Sequence, residues 1–592
     1  MITLEINSKA IEVEEGTTVL EAAKKMNIKI PTLCHMDLHD IRFMNKHASC
    51  RVCLVEQEDS GKLIPACATF VKDGMKIKTE TARAVKARRT MVELLLSDHP
   101  NSCLTCARNL DCELQKLASD LGVRTIKYQG EQSTYEIDDN SHSIVRDANK
   151  CILCKRCETM CNEIQTVGAL TDVGRGFNTY VGSAFNDAMY ETTCTFCGQC
   201  LAVCPTGALT EVNNTPHVWD VLHSDKTVIV QVAPAVRVAL GEEFGMEPGT
   251  IVTGKMINAL KYLGFDKVFD TNFAADLTIM EEASEFVHRL NNGGKLPILT
   301  SCCPSWVNFF EHQFTDFLDI PSTCKSPHEM FGAIAKTYLA QKLNIDPKNM
   351  VLVSVMPCVA KKYEAARPEL GNGAGKDVDY VITTRELALM IKEAGINFGE
   401  LGDDAEFDNP MGASTGAGVI FGATGGVIEA TVRTAYEWIT GNELSKLEFE
   451  ELRGLEGIKQ TTVDIDGRPI RIAVANGLGN TRRLLNMIRD NEAADALKEL
   501  LTSKGIEATD IRVFVAGFSC SGPQFNLAID PAKEGDYSVE IDGFTLRAEQ
   551  KLIDEFGGFE IKHFSDGTNS GIYIEPDIKP QSSCSSCGGG CH

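Results

Sequence analysis

Long apolar runs are missing from this chain. The longest candidate, Val228 to Leu240, is broken by Gln231, Pro234 and Arg237. A membrane-crossing helix needs about 18 to 20 consecutive apolar residues, so no membrane span is expected. The first residues also lack a targeting signal: Met1 to Asn7 reads as a strand with Glu5 inside it, without the basic start and apolar stretch of a secretory leader. A cytoplasmic location is expected. Positive charge is in deficit too, with 58 Lys+Arg against 82 Asp+Glu and a net charge of -24. That balance disfavours phosphate backbones and anionic membranes, which removes nucleic acid from the partner classes. A disordered composition is excluded as well, since 43% of the residues are hydrophobic and 24% charged. At about 100 to 200 residues per domain, the chain should hold roughly three to five domains.

Cysteine, by contrast, is abundant, with 23 residues. In a reducing compartment they point to metal binding rather than disulfides. Cys151, Cys154, Cys157 and Cys161 form C-x2-C-x2-C-x3-C, and Cys194, Cys197, Cys200 and Cys204 repeat it before Pro205. In the bacterial-ferredoxin pattern, the fourth cysteine of each run serves the other cluster. The expected 4Fe-4S sets are therefore Cys151, Cys154, Cys157 and Cys204, and Cys194, Cys197, Cys200 and Cys161. Cys34, Cys50, Cys53 and Cys67 form a tight pair with two distant partners, as in a plant-type 2Fe-2S ferredoxin, although the first gap is longer than usual. His99, Cys103, Cys106 and Cys112 would suit tetrahedral zinc or a 4Fe-4S cluster on spacing alone. Their place between a 2Fe-2S domain and two cubanes favours a third 4Fe-4S cluster in a redox relay.

Local patterns divide the chain into five expected domains. Residues 1–78 combine strand signals with a helix from Val19 to Met26 behind a Thr17 cap, as in a β-grasp 2Fe-2S domain. Residues 79–145 would carry the His/Cys3 cluster, and 146–212 the ferredoxin-like pair of 4Fe-4S clusters. The basic run Arg83, Lys86, Arg88 and Arg89 reads as a solvated helix face or, more sharply, as a docking patch for an acidic electron carrier. Residues 213–490 alternate β-rich runs (Thr227 to Val232, Val351 to Val355, Arg471 to Ala475) with amphipathic helices, an α/β signature. Residues 491–592 open with a helix, Ala493 to Leu501, continue with a strand, Ile511 to Ala516, and close in a Cys- and Gly-rich tail. The fold class is thus multidomain, α+β and α/β.

With Thr-Ser-Cys-Cys-Pro-Ser-Trp at 300–306 and Met-Pro-Cys-Val-Ala-Lys-Lys-Tyr-Glu at 356–364, the order of motifs resembles an iron-only (di-iron) hydrogenase with a full N-terminal accessory set, from residue 1 to about 490. The glycine-rich block Ser414 to Glu429 and the run Ala473 to Asn480 are similar to the same family. Complex I's large peripheral subunit shares the first three cluster motifs but has nothing like the Cys302 and Cys358 loops. The resemblance implies a 4Fe-4S cube joined to a di-iron unit, together the H-cluster, with Cys303 and Cys358 on the cube. It assigns Cys302 as the proton-exchanging thiol, Lys361 as a hydrogen-bond donor to a cyanide, and Pro234, Met356 and Phe421 as pocket lining. Protons would pass through Glu282, Ser322, Glu285 and Arg289; the first, third and last of these sit three and four apart on one helical face.

The chain departs from the family by having no cysteine between 358 and 520, where the pattern supplies a third loop with the cube's other two cysteines. That gap bears directly on turnover. Instead, Gly-Phe-Ser-Cys-Ser-Gly-Pro-Gln-Phe-Asn at 517–526 resembles an A-type (HesB-like) iron-sulfur protein, which implies a labile cluster on Cys520, Cys584 and Cys587. Cys324 has no partner motif and reads as a small buried hydrophobe. The function implied is interconversion of H2 with protons and electrons, relayed through one 2Fe-2S and three 4Fe-4S clusters, in anaerobic hydrogen metabolism. The alternative is an electron-transfer, sensory or cluster-carrier protein built on the same scaffold. Implied partners are ferredoxin or a flavin/NAD(P)-linked electron-transfer subunit, and hydrogenase maturation proteins.

Overall fold

The computed structural model describes residues 1–578 except 39–40, 42, 46–47, 372–374, 445–446, 452–456, 504–509, 520–521, 531, 534, 542–543 and 566–569. Cys520, Cys584, Cys587 and Cys591 therefore lie outside the described residues. Two compact units are present, Met1–Leu478 and Gly479–His592. Among the described residues, no helix is long and apolar enough to cross a membrane.

The first unit begins with a five-stranded sheet in the order Lys9–Val13, Ile2–Ile6, Lys76–Lys78, Leu54–Gln57, Lys62–Pro65, whose Ile2–Ile6 and Lys76–Lys78 pairing is parallel. Helix Val19–Lys25 buries Val19, Ala22 and Ala23. Its cap is Thr18, not Thr17. The Thr18 hydroxyl accepts from the Glu21 amide at 3.2 Å while the Glu21 carboxylate accepts from the Thr18 amide at 2.7 Å, a reciprocal box that needs a glutamate three residues after the cap. Helix Ala82–Ser97 follows. Its basic run is not one solvated face, because Arg88 is buried, with its Nε donating to the Leu54 carbonyl at 2.7 Å. Arg83 is bound to Glu56 and Gly61, and Arg89 Nε donates to the Leu121 carbonyl.

Four parallel strands form the core of the α/β region, in the order Lys267–Asp270, Thr227–Val232, Met350–Met356, Tyr380–Thr383. Both faces are covered, and the two central strands are mostly apolar, with Val230, Leu352 and Val353 fully buried and the two buried polar residues Gln231 and Ser354 bonded to each other at 2.9 Å. Arg471 to Ala475 does not join this sheet. It is the end of Arg468–Ala475, which pairs antiparallel with Ile458–Ile465. Asp466 and Gly467 turn the hairpin, both at positive φ (54° and 78°), the Asp-Gly geometry that returns a strand directly on its neighbour.

The helix expected at Ala493 to Leu501 is part of a longer one, Leu478–Ser503, which runs without interruption through residue 490. The second unit then forms a four-stranded sheet in the order Gly522–Ala528, Asp510–Ser519, Phe544–Glu549, Asp536–Ile541, beside a hairpin of Phe559–Ser565 and Ser570–Pro576. Leu497, Ile511 and Phe544 form its small core.

Candidate functional site

The four cysteines of the β-grasp domain are all buried. Cys53 Sγ lies 3.3 Å from Cys67 Sγ, and the Cys34 thiol contacts Cys50 and Cys67. Four convergent thiols shielded from water suit a 2Fe-2S cluster. His99, Cys103, Cys106 and Cys112 line one cavity with Lys150 and Gly207. His99 Nε2 is buried without a hydrogen-bond partner, the state of a nitrogen with a ligand to hold. Gly207 has to be a glycine here, since a Cβ would come within 2.8 Å of Cys106 Sγ.

A further cavity is lined by Cys151, Cys154, Cys157 and Cys204, so the last cysteine of the second run reaches the first. Reciprocally, Cys161 faces Cys194, Cys197 and Cys200. Burial pushes the Cys151, Cys157, Cys161, Cys194, Cys197 and Cys200 thiols up, and Cys154 to about 12, so each of these holds its proton until a metal replaces it. The second set also faces the α/β region. Cys197 feels Cys303, Asn308 Nδ2 donates to the Cys194 carbonyl at 3.0 Å, and Ser143 Oγ donates to the Val359 carbonyl at 2.8 Å. Phe196 stacks on Tyr363 with centroids 4.6 Å apart. Gly198, at φ 73°, leaves no room for a Cβ, which would meet Val359 Cγ2 at 2.7 Å.

The pocket itself gathers at strand ends and helix starts. Cys303 caps helix Pro304–Gln313, and Cys358 lies between strand Met350–Met356 and helix Ala360–Glu364. Lys361 Nζ donates to the Cys302 carbonyl at 2.9 Å and to Glu364 Oε2 at 2.8 Å. Burial pushes the Cys302 thiol to about 12, and Cys303 adds to the rise. Met356 is buried where the strand ends, and Pro234 lies under Gly422, next in chain to Phe421. Among the described residues, Cys303 and Cys358 are the thiols available for a cube here. They fill half of a four-thiolate set.

Helix Asn272–Asn292 carries the expected proton path. Glu282 is 1% exposed, neither carboxylate oxygen has a hydrogen-bond partner, and burial pushes it up to about 7. Ser322 Oγ donates to Glu285 Oε2 at 3.2 Å, and Arg289 pairs with Glu285 at 2.5 Å. Burial alone would raise Glu285, but the Thr323 amide and Arg289 outweigh it and hold the carboxyl below its usual range. The structure thus sets a protonatable acid beside an ionised one, the arrangement a proton step requires. Cys324 is not an isolated core residue. It is half-exposed, with Sγ 3.9 Å from Glu285 Oε2.

Because Glu282 is raised when folded, its proton stabilises the fold below an ordinary pKa of 4.5, and that stability is lost as pH rises through about 7. Glu282→Gln should therefore melt higher than the parent at pH 8, by an amount on the order of 3 kcal/mol, and differ little at pH 4.5. Thermal melts at the two pH values measure this, and equal offsets would contradict it.

Three buried residues with no place in the expected path sit behind Lys361. His328 Nδ1 lies 2.7 Å from Glu364 Oε2 and 3.4 Å from Glu329 Oε1. Burial pushes His328 down and Glu329 up to about 8. A polar pair, His328 and Glu329, just inside the helix cap Ser326 was the available signal.

The chain is similar to known proteins over most of its length. Residues 226–505 match the family described as iron only hydrogenase large subunit, C-terminal domain. Residues 1–82 match a 2Fe-2S iron-sulfur cluster binding domain. Residues 88–127 match the NADH-ubiquinone oxidoreductase-G iron-sulfur binding region, and 141–210 the ferredoxin-like domain of NADH-quinone oxidoreductase subunit 3. The chain is 55% identical over 515 residues to the NADP-reducing hydrogenase subunit HndD of Solidesulfovibrio fructosivorans, covering 85% of this chain and 87% of that one. It is 40% identical over 507 residues to iron hydrogenase 1 of Clostridium pasteurianum, with the same two coverages. To the periplasmic [Fe] hydrogenase large subunit of Nitratidesulfovibrio vulgaris it is 42% identical over 351 residues, covering 53% of this chain and 83% of that one.

Proposed function

We propose residue roles from one premise: the chain belongs to the iron-only hydrogenase family and is an oxidoreductase that interconverts H2 with protons and electrons, carrying the electrons on iron-sulfur clusters. The observation that carries the roles is the packing of the second cysteine run against the pocket loops, with Asn308 Nδ2 donating to the Cys194 carbonyl at 3.0 Å and Phe196 stacked on Tyr363. In this reading, Cys34, Cys50, Cys53 and Cys67 hold the 2Fe-2S cluster. His99, Cys103, Cys106 and Cys112 hold one cubane, and the two crossed cysteine sets hold two more. Cys302 releases or accepts the proton, Glu282 carries it past Ser322 to Glu285, and Arg289 marks the solvent end.

Cys303 and Cys358 would anchor the cube and its di-iron unit, which supply the chemistry at hydrogen. Two thiolates alone do not make a complete site for that group. The electron partner we propose is a flavin- or NAD(P)-linked subunit, in keeping with the naming of the Solidesulfovibrio relative as a subunit of an NADP-reducing hydrogenase. For residues 491–592 we propose a HesB-like module with a labile cluster on Cys520, Cys584 and Cys587, supported by the Cys520 motif.

The cluster reading has a direct test. The full chain, anaerobically reconstituted without the di-iron unit, should show one 2Fe-2S and three 4Fe-4S spin systems on reduction, with roughly fourteen iron atoms in the N-terminal sets. His99→Ala should lose or alter one cubane signal and spare the other three clusters. Zinc bound at the His99 set in place of iron would refute the assignment.

A further inference from the structure

We propose that Arg88 is the buried counter-charge of the 2Fe-2S cluster and sets its reduction potential. The proposal rests on the reading that Cys34, Cys50, Cys53 and Cys67 hold that cluster. Arg88 is 6% exposed and pinned through Nε to the Leu54 carbonyl, the residue directly after Cys53. One terminal guanidinium nitrogen, Nη2, is buried and has no hydrogen-bond partner. Among the described residues no carboxylate forms an ion pair with Arg88, whereas Arg83 pairs with Glu56 and Arg156 with Glu113.

A guanidinium buried without an anion is costly, so such a group is kept where an anion is supplied by something else. The groups of opposite sign that face it are Cys53, which is buried, and Glu80, which is exposed. Four thiolates and two bridging sulfides around two ferric ions carry a net charge of about -2, which becomes about -3 when one electron enters and one ferric ion becomes ferrous. No bond breaks in that step. The fixed positive charge therefore stabilises the reduced state more than the oxidised one and raises the potential. It also accounts for a charged residue on the inward face of helix Ala82–Ser97, four residues before the fully buried Val92.

The test is an EPR-monitored redox titration of the full chain carrying its N-terminal clusters, with dithionite as reductant, in wild type, Arg88→Gln and Arg88→Lys. Arg88→Gln should lose about tenfold or more in the reduction equilibrium constant of the 2Fe-2S cluster, at least about 59 mV for a one-electron couple. Arg88→Lys should stay within about threefold of wild type, and the three cubane potentials should not move. A 2Fe-2S potential unchanged in Arg88→Gln, or lowered equally in both variants, would overturn the proposal. If Arg88→Gln fails to hold the cluster, Arg88→Lys decides: a near-native potential supports the charge role, and a tenfold loss refutes it. Absence of any 2Fe-2S signal in wild type would instead refute the ligand reading on which the proposal rests.

Discussion

Glu364→Gln should destabilise the α/β region by about 3–5 kcal/mol, the usual result of removing one partner of a buried ion pair. Glu364 Oε2 accepts from Lys361 at 2.8 Å and stands 2.7 Å from His328 Nδ1, so a single oxygen ties the helix Ala360–Glu364 to the helix Pro327–Ile334. Burial would raise its pKa, but the Lys361 charge and the His328 contact outweigh that and hold it at about 2. A carboxyl depressed in this way contributes its full stability above its ordinary pKa of 4.5 and loses it as pH falls toward 2. The difference between wild type and variant should therefore be largest near neutrality and shrink in acid. Denaturant titrations at pH 7 and pH 3 measure it. A variant as stable as wild type at pH 7 would mean that Lys361 finds another partner or sheds its proton.

Cys302→Ala should lower hydrogen turnover by about 10²- to 10⁴-fold, the range expected when a positioned proton donor is removed. Its N-terminal cluster content should stay intact. The half-buried thiol feels Glu282, whose own carboxyl can hold a proton near neutrality, and an alanine side chain has no proton to exchange with it. Turnover with reduced methyl viologen and iron content, taken on the same matured sample, separate two outcomes. Lost turnover with full iron supports the role. Lost iron would show that Cys302 rather than Cys303 holds the cube.

Much of this site can be read from the chain because thiolate ligands are sparse, costly to bury and spaced by cluster geometry. The crossed use of Cys161 and Cys204 follows from spacing, and the cavity that joins Cys204 to the first run matches it in space. Glu282, Glu285 and Arg289 could be placed together because helical periodicity puts residues three and four apart on one face. Residues whose role depends on tertiary packing were not legible. Arg88 looked like part of a solvated basic stripe, since nothing in its neighbours tells which side of the helix meets the Leu54 carbonyl. His328 and Glu329 gain meaning only from Glu364, which approaches them from a different helix. The Arg468–Ala475 strand carried a readable signal in Asp466-Gly467, but its apolar pattern resembled the parallel strands of the central sheet.

The domain boundary expected near residue 490 falls inside a helix. Helix Leu478–Ser503 passes through that point without a break, and the hydrogenase-family match extends to residue 505. The amide of Leu478, the last residue of the first unit, donates to Gln165 Oε1 at 3.1 Å within that unit. Among the described residues, Cys358 lies near Cys303, and Cys303 in turn is felt by Cys197 of the second cysteine run.

Infrared absorption of the full chain after maturation, in the region where iron-bound carbonyl and cyanide absorb, tests the central claim most directly. A working hydrogenase site predicts carbonyl and cyanide bands that shift on exposure to H2 and accompany hydrogen evolution. A chain with all four N-terminal clusters reducible, but with no such bands and no hydrogen, would contradict the account and leave an electron-transfer protein on a hydrogenase scaffold.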